Sequence, residues 1–169
     1  MFNQKVQDAF NKQVNAELYS SYLYLSMAAY FESKNLKGMA HWMRVQAQEE
    51  NMHAMKFFDF INERGGRVVL TQIQAPPTEW KSPLEVFEET CEHESKVTGL
   101  IHNLADLSLA EKDHAAHTFL QWFVNEQVEE EATAQEITGT IRMVSDNAAA
   151  LYMIDQQLSQ RAAPGAPTA

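Results

Sequence analysis

The chain has 169 residues, 45% of them hydrophobic, which is enough for one well-cored domain. Its 23 acidic and 13 basic side chains leave a net charge of −10, which argues against nucleic-acid binding and suits a protein that attracts cations. A lone cysteine, Cys91, excludes an intrachain disulfide, and the absence of both an apolar signal run and a stretch of about 18 apolar residues argues against export or membrane insertion, so a cytoplasmic location is expected.

Few glycines and prolines interrupt the chain. Asn3 can cap a first helix running to about Lys34, where Asn35-Leu36 breaks it from a second. Arg64-Gly65-Gly66 is a strong C-terminal stop for that second helix. A longer connection holding Pro76-Pro77 follows, and at roughly 3.3 Å per residue it can cross a bundle from end to end. Ser82-Pro83-Leu84-Glu85 combines an N-cap serine, a proline at the first helical position and a glutamate at the capping-box position. The helix it opens is expected to reach about Ser108. A fourth starts near Glu111-Lys112-Asp113 and continues to about Val144, with Gly139 marking a kink. Ser145-Asp146 open a short fifth helix to about Gln160, and residues 161–169 read as a disordered tail after a single domain over 1–160. The expected class is all-α: a four-helix bundle of rods about 40 Å long, with one long crossover between helices 2 and 3 and a short fifth C-terminal helix.

The second helix carries Glu50-x-x-His53, whose spacing sets a carboxylate and an imidazole one turn apart on one face. That face is otherwise apolar or neutral: Met39, Met43, Gln46, Ala47, Ala54, Phe57 and Ile61. The other helices repeat the theme. Glu17 interrupts the stripe Val6, Phe10, Val14, Ser21, Tyr24, Ala28, Phe31 of the first helix. In the third, Glu94 interrupts Phe87, Cys91, Thr98, Ile101, Ala105. Gln127 and Glu130 interrupt Leu120, Phe123, Ala134, Thr138, Ile141 of the fourth. Middle positions of neighbouring rods come level in an up-down bundle, so these interruptions should meet. No lysine or arginine falls on any of the stripes. Burying an unpaired carboxylate costs several kcal/mol, so either the acids are protonated or a metal sits among them, and this donor set suits iron or manganese.

With those residues in view the chain closely resembles the ferritins, specifically the haem-free bacterial type. The resemblance runs through Asn15 to Ala28 (Asn-Ala-Glu-Leu-Tyr-Ser-Ser-Tyr-Leu-Tyr-Leu-Ser-Met-Ala), Gln48 to Ala54 (Gln-Glu-Glu-Asn-Met-His-Ala) and Phe119 to Glu131. It implies a homo-oligomeric cage of 24 subunits that oxidises Fe(II) with O2 or peroxide and stores ferric mineral, with a reductase serving iron release. Carried onto this sequence, it puts a first iron on Glu17, Glu50 and His53, with Glu50 bridging to a second iron held by Glu94. Gln127 lies close by and Glu130 links onward. A third iron site would use Glu49, Glu126, Glu129 and Glu130. Tyr24 and Trp122 match aromatic residues beside the centre, able to donate electrons.

Several positions depart from relatives. Asn51 stands where haem-binding bacterioferritins place a methionine, and Met52 points about 100° away from that direction, so no haem is expected. Glu130 stands where a second Glu-x-x-His would end. The pore-lining acids of many animal ferritins are here His117 and Leu120, with Asp113, His114 and His117 offering another metal path, and the acids lining their cavities are Met52 and Met55. Leu18, Tyr22, Leu25 and Ala29 form a second apolar stripe on the first helix, the mark of a partner outside the bundle. The rival reading is a discrete di-iron peroxidase or oxidase of the rubrerythrin or bacterioferritin type. A single cysteine cannot supply the cysteine-rich iron site that rubrerythrins usually add.

Overall fold

The computed structural model describes residues 2–144 and 147–164. It contains five helices: α1 (Gln4–Ser33), α2 (Lys37–Glu63), α3 (Pro83–Ala110), α4 (His114–Val144) and α5 (Ala148–Leu158). There are no strands among the described residues. None of the helices is long and apolar enough to cross a membrane.

Helix ends follow local chemistry closely. Asn3 caps α1 by accepting from the backbone N–H of Lys5 and Val6, and Ser82 caps α3 by accepting from that of Glu85 at 3.2 Å. The Glu85 side chain reaches back to the Lys81 N–H, so the capping box forms one residue early. Helices α1, α2 and α3 all stop in a Schellman turn with one left-handed residue: Asn35 at φ 60°, Gly65 at φ 71° and Lys112 at φ 56°. In each, the following N–H reaches back to the same carbonyl of the last turn: Leu36 to Phe31, Gly66 to Ile61 and Asp113 to Ser108. The Lys112 turn moves one boundary. It carries α3 on to Ala110 and delays α4 to His114, past the Glu111-Lys112-Asp113 start the sequence suggests. Through Gly139 α4 continues as one helix, and α5 ends at Leu158, with Asn147 as its N-cap. The expected α5 start at Ser145-Asp146 and most of the expected tail lie outside the described residues.

The crossover runs the length of α1, in the same direction. The Asn11 side chain donates to the Arg67 carbonyl and accepts from the Val69 N–H, Asn15 donates to the Thr71 and Gln72 carbonyls, Ser26 donates to the Pro77 carbonyl, and Trp80 packs edge-on to Tyr30. Side-chain amides thus satisfy a backbone that has no ladder of its own. The chain therefore goes up along α1, down α2, back up the crossover, down α3 and up α4. Two apolar clusters result. One joins the ends containing Phe10, Phe57, Ile101 and Phe123. The other joins those containing Tyr24, Phe31, Met43, Phe87 and Ile141.

The N-cap residue of α2 is Leu36, which supplies no side-chain cap. The missing acceptor comes from α5: Asp155, fully buried, accepts from the Met39 N–H at 2.8 Å. Gly38 permits this approach, since a Cβ there would lie 1.6 Å from the Asp155 carbonyl oxygen. Replacing Asp155 by alanine leaves a buried N–H without a partner and should cost about 1–3 kcal/mol. Asp155→Asn keeps an acceptor and should cost less, whereas Gly38→Ala should lose at least as much as the alanine variant. Urea unfolding midpoints of the three variants check this order.

Candidate metal centre

Between the two apolar clusters lies a polar layer drawn from all four long helices. Glu17, Glu50, His53, Glu94, Gln127 and Glu130 are all buried there, each at 9% exposure or less. The sequence stripes carry them inward as expected, although α3 is rotated slightly. Thr90, Val97 and Leu104 are buried where Cys91, Thr98 and Ala105 are half-buried.

The donor atoms converge in three overlapping groups, each within 4.8 Å: Glu17, Glu50 and His53; Glu50, Glu94 and Glu130; and His53, Glu126 and Glu130. Glu50 belongs to the first two and Glu130 to the last two. His53 Nδ1 lies 3.3 Å from Glu50 Oε2. Its ring packs edge-on against Trp122 and Phe123, with centroids 5.4 and 5.8 Å away. Tyr24 donates its phenolic O–H to Glu94 Oε1. Gln127 donates to Glu94 Oε2 at 3.3 Å and to Thr98 Oγ1 at 3.2 Å.

Two residues of this layer have roles that the stripes alone do not reveal. Gln13 donates to Glu17 at 2.8 Å, while Gln46 donates to both Glu50 at 2.9 Å and Glu130 at 2.7 Å. The signal was present as a Gln-x-x-x-Glu spacing that occurs at Gln13/Glu17 and again at Gln46/Glu50. Glu17 Oε2 remains buried without any hydrogen-bond partner. An orphaned carboxylate oxygen aimed into a cluster of acids is the feature that fits a cation.

The outer residues gather only in part. Glu126 joins His53 and Glu130, but Glu129 is exposed and Glu49 belongs to none of the three groups. The Glu49 carboxylate is instead paired with Arg161. At the α3–α4 corner, Asp113 caps α4 through the Ala116 N–H at 3.0 Å and forms a two-pronged ion pair with Arg64. Leu120 is fully buried in the apolar cluster with Phe10 and Phe123.

Burial and the neighbouring carboxylates favour the protonated form of Glu17, Glu94 and Glu130. Burial and Glu50 push Glu17 up to about 8 from 4.5, and push Glu94 to about 8. Burial, Glu50 and Glu94 push Glu130 to about 9. Burial pulls His53 down, but its hydrogen bond with Glu50 and the surrounding acids more than offset that and raise it to about 9. Burial and Glu94 keep Tyr24 well above its usual value, so its phenol stays a donor. Without metal, the layer at neutral pH balances its charge with protons.

A four-helix bundle with overlapping carboxylate and histidine groups at its centre defines a ferritin-like protein. Comparison with known proteins gives the same answer. A family model described as the ferritin-like domain matches residues 7–144, and the chain belongs to the ferritin family. A bacterial non-haem ferritin from Bacteroides fragilis is 50% identical over 161 residues, covering 95% of this chain and all of that one. A counterpart from Staphylococcus saprophyticus is 39% identical, covering 95% and 96%. The solved structure of an open-pore ferritin from the archaeon Archaeoglobus fulgidus is 54% identical, with a TM-score of 0.95 over 96% of this chain and all of that one.

Raised pKa values fix the sign of the pH dependence. The native state holds protons that the unfolded chain gives up, so this stability is full below the ordinary carboxyl value of 4.5. It is lost as pH rises through the shifted values of about 8 to 9. The metal-free protein should therefore melt at progressively lower temperature between about pH 5 and pH 9. Glu17→Gln, neutral throughout, should flatten that slope. Calorimetric melting at three pH values for both proteins reads the effect.

Proposed function

We propose that this chain is an iron-storage ferritin subunit that oxidises Fe(II) at a di-iron ferroxidase centre, using O2 or peroxide, and stores the ferric product inside a shell of 24 copies. The observation that carries the reading is the pair of overlapping donor groups, Glu17-Glu50-His53 and Glu50-Glu94-Glu130, sharing one buried carboxylate. Family membership supports iron as the cation.

Fe(II) is the substrate. The first ion sits on Glu17, Glu50 and His53. The second sits on Glu50, Glu94 and Glu130, with Gln127 at its edge. Binding displaces the protons that otherwise neutralise these groups, which exchanges a proton-balanced layer for a metal-balanced one. Each Fe(II) then gives up one electron, and the two electrons reduce O2 to hydrogen peroxide or peroxide to water, with protons taken from solvent. Hard carboxylate oxygens favour the ferric product over the ferrous substrate. Gln13 and Gln46 hold Glu17, Glu50 and Glu130 in place through neutral amides, so the carboxylates are oriented without their charge being cancelled. Tyr24, in hydrogen-bond contact with Glu94, and Trp122, beside His53, would each give one of the two further electrons that take O2 past peroxide to water. Product leaves towards His53, Glu126 and Glu130, with Glu49 and Glu129 completing a third site.

For assembly, the supporting observation is on α1. Tyr22 and Leu25 are 50% and 48% exposed on its outward face, as the second apolar stripe requires of a helix with an outside partner.

Aerobic Fe(II) oxidation should fall at least about tenfold in Glu17→Ala and His53→Ala, each of which removes a ligand. Equal rates in wild type and both variants would remove the catalytic reading. Tyr24→Phe should slow oxidation while leaving anaerobic Fe(II) uptake intact. On size exclusion the protein should elute as a large particle, and elution near the 19.2 kDa of one chain would rule out a cage.

A further inference from the structure

We propose that Arg161 acts as an exchangeable counter-ion for Glu49, occupying this carboxylate while the outer site is empty and releasing it to an incoming metal ion. The inference deepens the reading above, since it takes the position beside His53, Glu126 and Glu130 as a metal site.

The C-terminal segment after α5 folds back across α2 and is held there at several points. His41 Nε2 lies 2.8 Å from the Arg161 carbonyl, placed to donate to it. The Arg161 guanidinium stacks over the Trp42 ring at 4.3 Å and donates through Nη1 to the Trp42 carbonyl at 3.4 Å. Only its outermost nitrogen, Nη2, reaches Glu49. Both partners are largely shielded, with side-chain exposures of 20% and 26%.

Glu49 precedes Glu50 and lies one turn before His53 on α2. It nonetheless belongs to none of the groups whose donor atoms converge within 4.8 Å. His53, Glu126 and Glu130 thus bring donor atoms together at the outer position, while Glu49, one of the ligands expected there from the sequence, is engaged by a cation of the chain itself. One carboxylate cannot be the full counter-charge of a guanidinium and a metal ion at once, so the two compete. Arginine suits the part because it is permanently charged and cannot be displaced by a change in pH. Its stacking on Trp42 keeps it nearby after release, so that re-pairing costs little entropy. This arrangement lowers affinity at the outer site selectively. Ions at the two buried positions do not touch Glu49 and are unaffected.

Anaerobic calorimetric titration of the assembled full-length protein with Fe(II) alone tests the proposal, using wild type, Arg161→Ala, Arg161→Lys and Glu49→Gln. The first two ions should bind alike in wild type and both Arg161 variants. The third should bind on the order of tenfold tighter in Arg161→Ala, reflecting one charge-assisted contact removed from competition. Arg161→Lys should lie between the two, and the gain should vanish in the Arg161→Ala/Glu49→Gln double variant. A third-ion affinity unchanged by Arg161→Ala would overturn the proposal, as would a double variant that binds as tightly as Arg161→Ala. The buried centre is read from the first two ions and the counter-ion from the third, so the two readings fail separately.

Discussion

Buried carboxylates with no buried lysine or arginine beside them are the constraint on which the rest of this molecule depends. Among the described residues no lysine or arginine is buried, yet Glu17, Glu50, Glu94 and Glu130 are. Such a layer cannot persist as four free carboxylates, because the cost would exceed the whole stability of a domain this size. It must be balanced by protons or by cations. Apart from His53 beside Glu50, its hydrogen-bond partners Gln13, Gln46, Gln127 and Tyr24 are neutral donors. They fix where the oxygens point and leave the charge unsettled.

The fold exists around that layer in a mechanical sense. An up-down-down-up course brings the midpoints of all four rods level, and the apolar clusters above and below exclude water from between them. That course requires the crossover to travel the length of α1. It does so on side-chain hydrogen bonds from Asn11, Asn15 and Ser26. Asp155 supplies the cap that α2 lacks and so ties α5 to the start of the helix bearing Glu50 and His53.

Much of this was legible in the sequence because it is local and periodic. Every residue of the α4 stripe, from Leu120 to Ile141, is buried as the 3.6-residue period requires. On α3 the period fails by one residue at alternate turns, since a helix wedged between neighbours buries a band and not a line, so Val97 and Thr98 compete for the same inward direction. The turn at Lys112 escaped notice because a lysine in the left-handed region is uncommon and carries no signature. The pairing of Glu49 with Arg161 could not be read at all. It joins residues 112 positions apart, and nothing in local pattern says where a chain end will come to rest.

The overlap between donor groups bears on why the arrangement suits a store and not an oxygenase. On the proposed reading, Glu50 is shared by the first and second iron positions and Glu130 by the second and the outer one. An ion moving outward therefore exchanges ligands one at a time and never crosses a gap without a carboxylate on it. The first position has the imidazole of His53, which also borders the outer one. The second has carboxylates with the amide of Gln127 at its edge, and Glu130 stands where another histidine would tighten the grip. An enzyme that reuses its metal needs both ions held equally well. A protein that must pass iron on needs the second held less firmly than the first, and on the proposed reading Glu130 in place of a histidine would serve that, as a ligand common to both the centre and its exit.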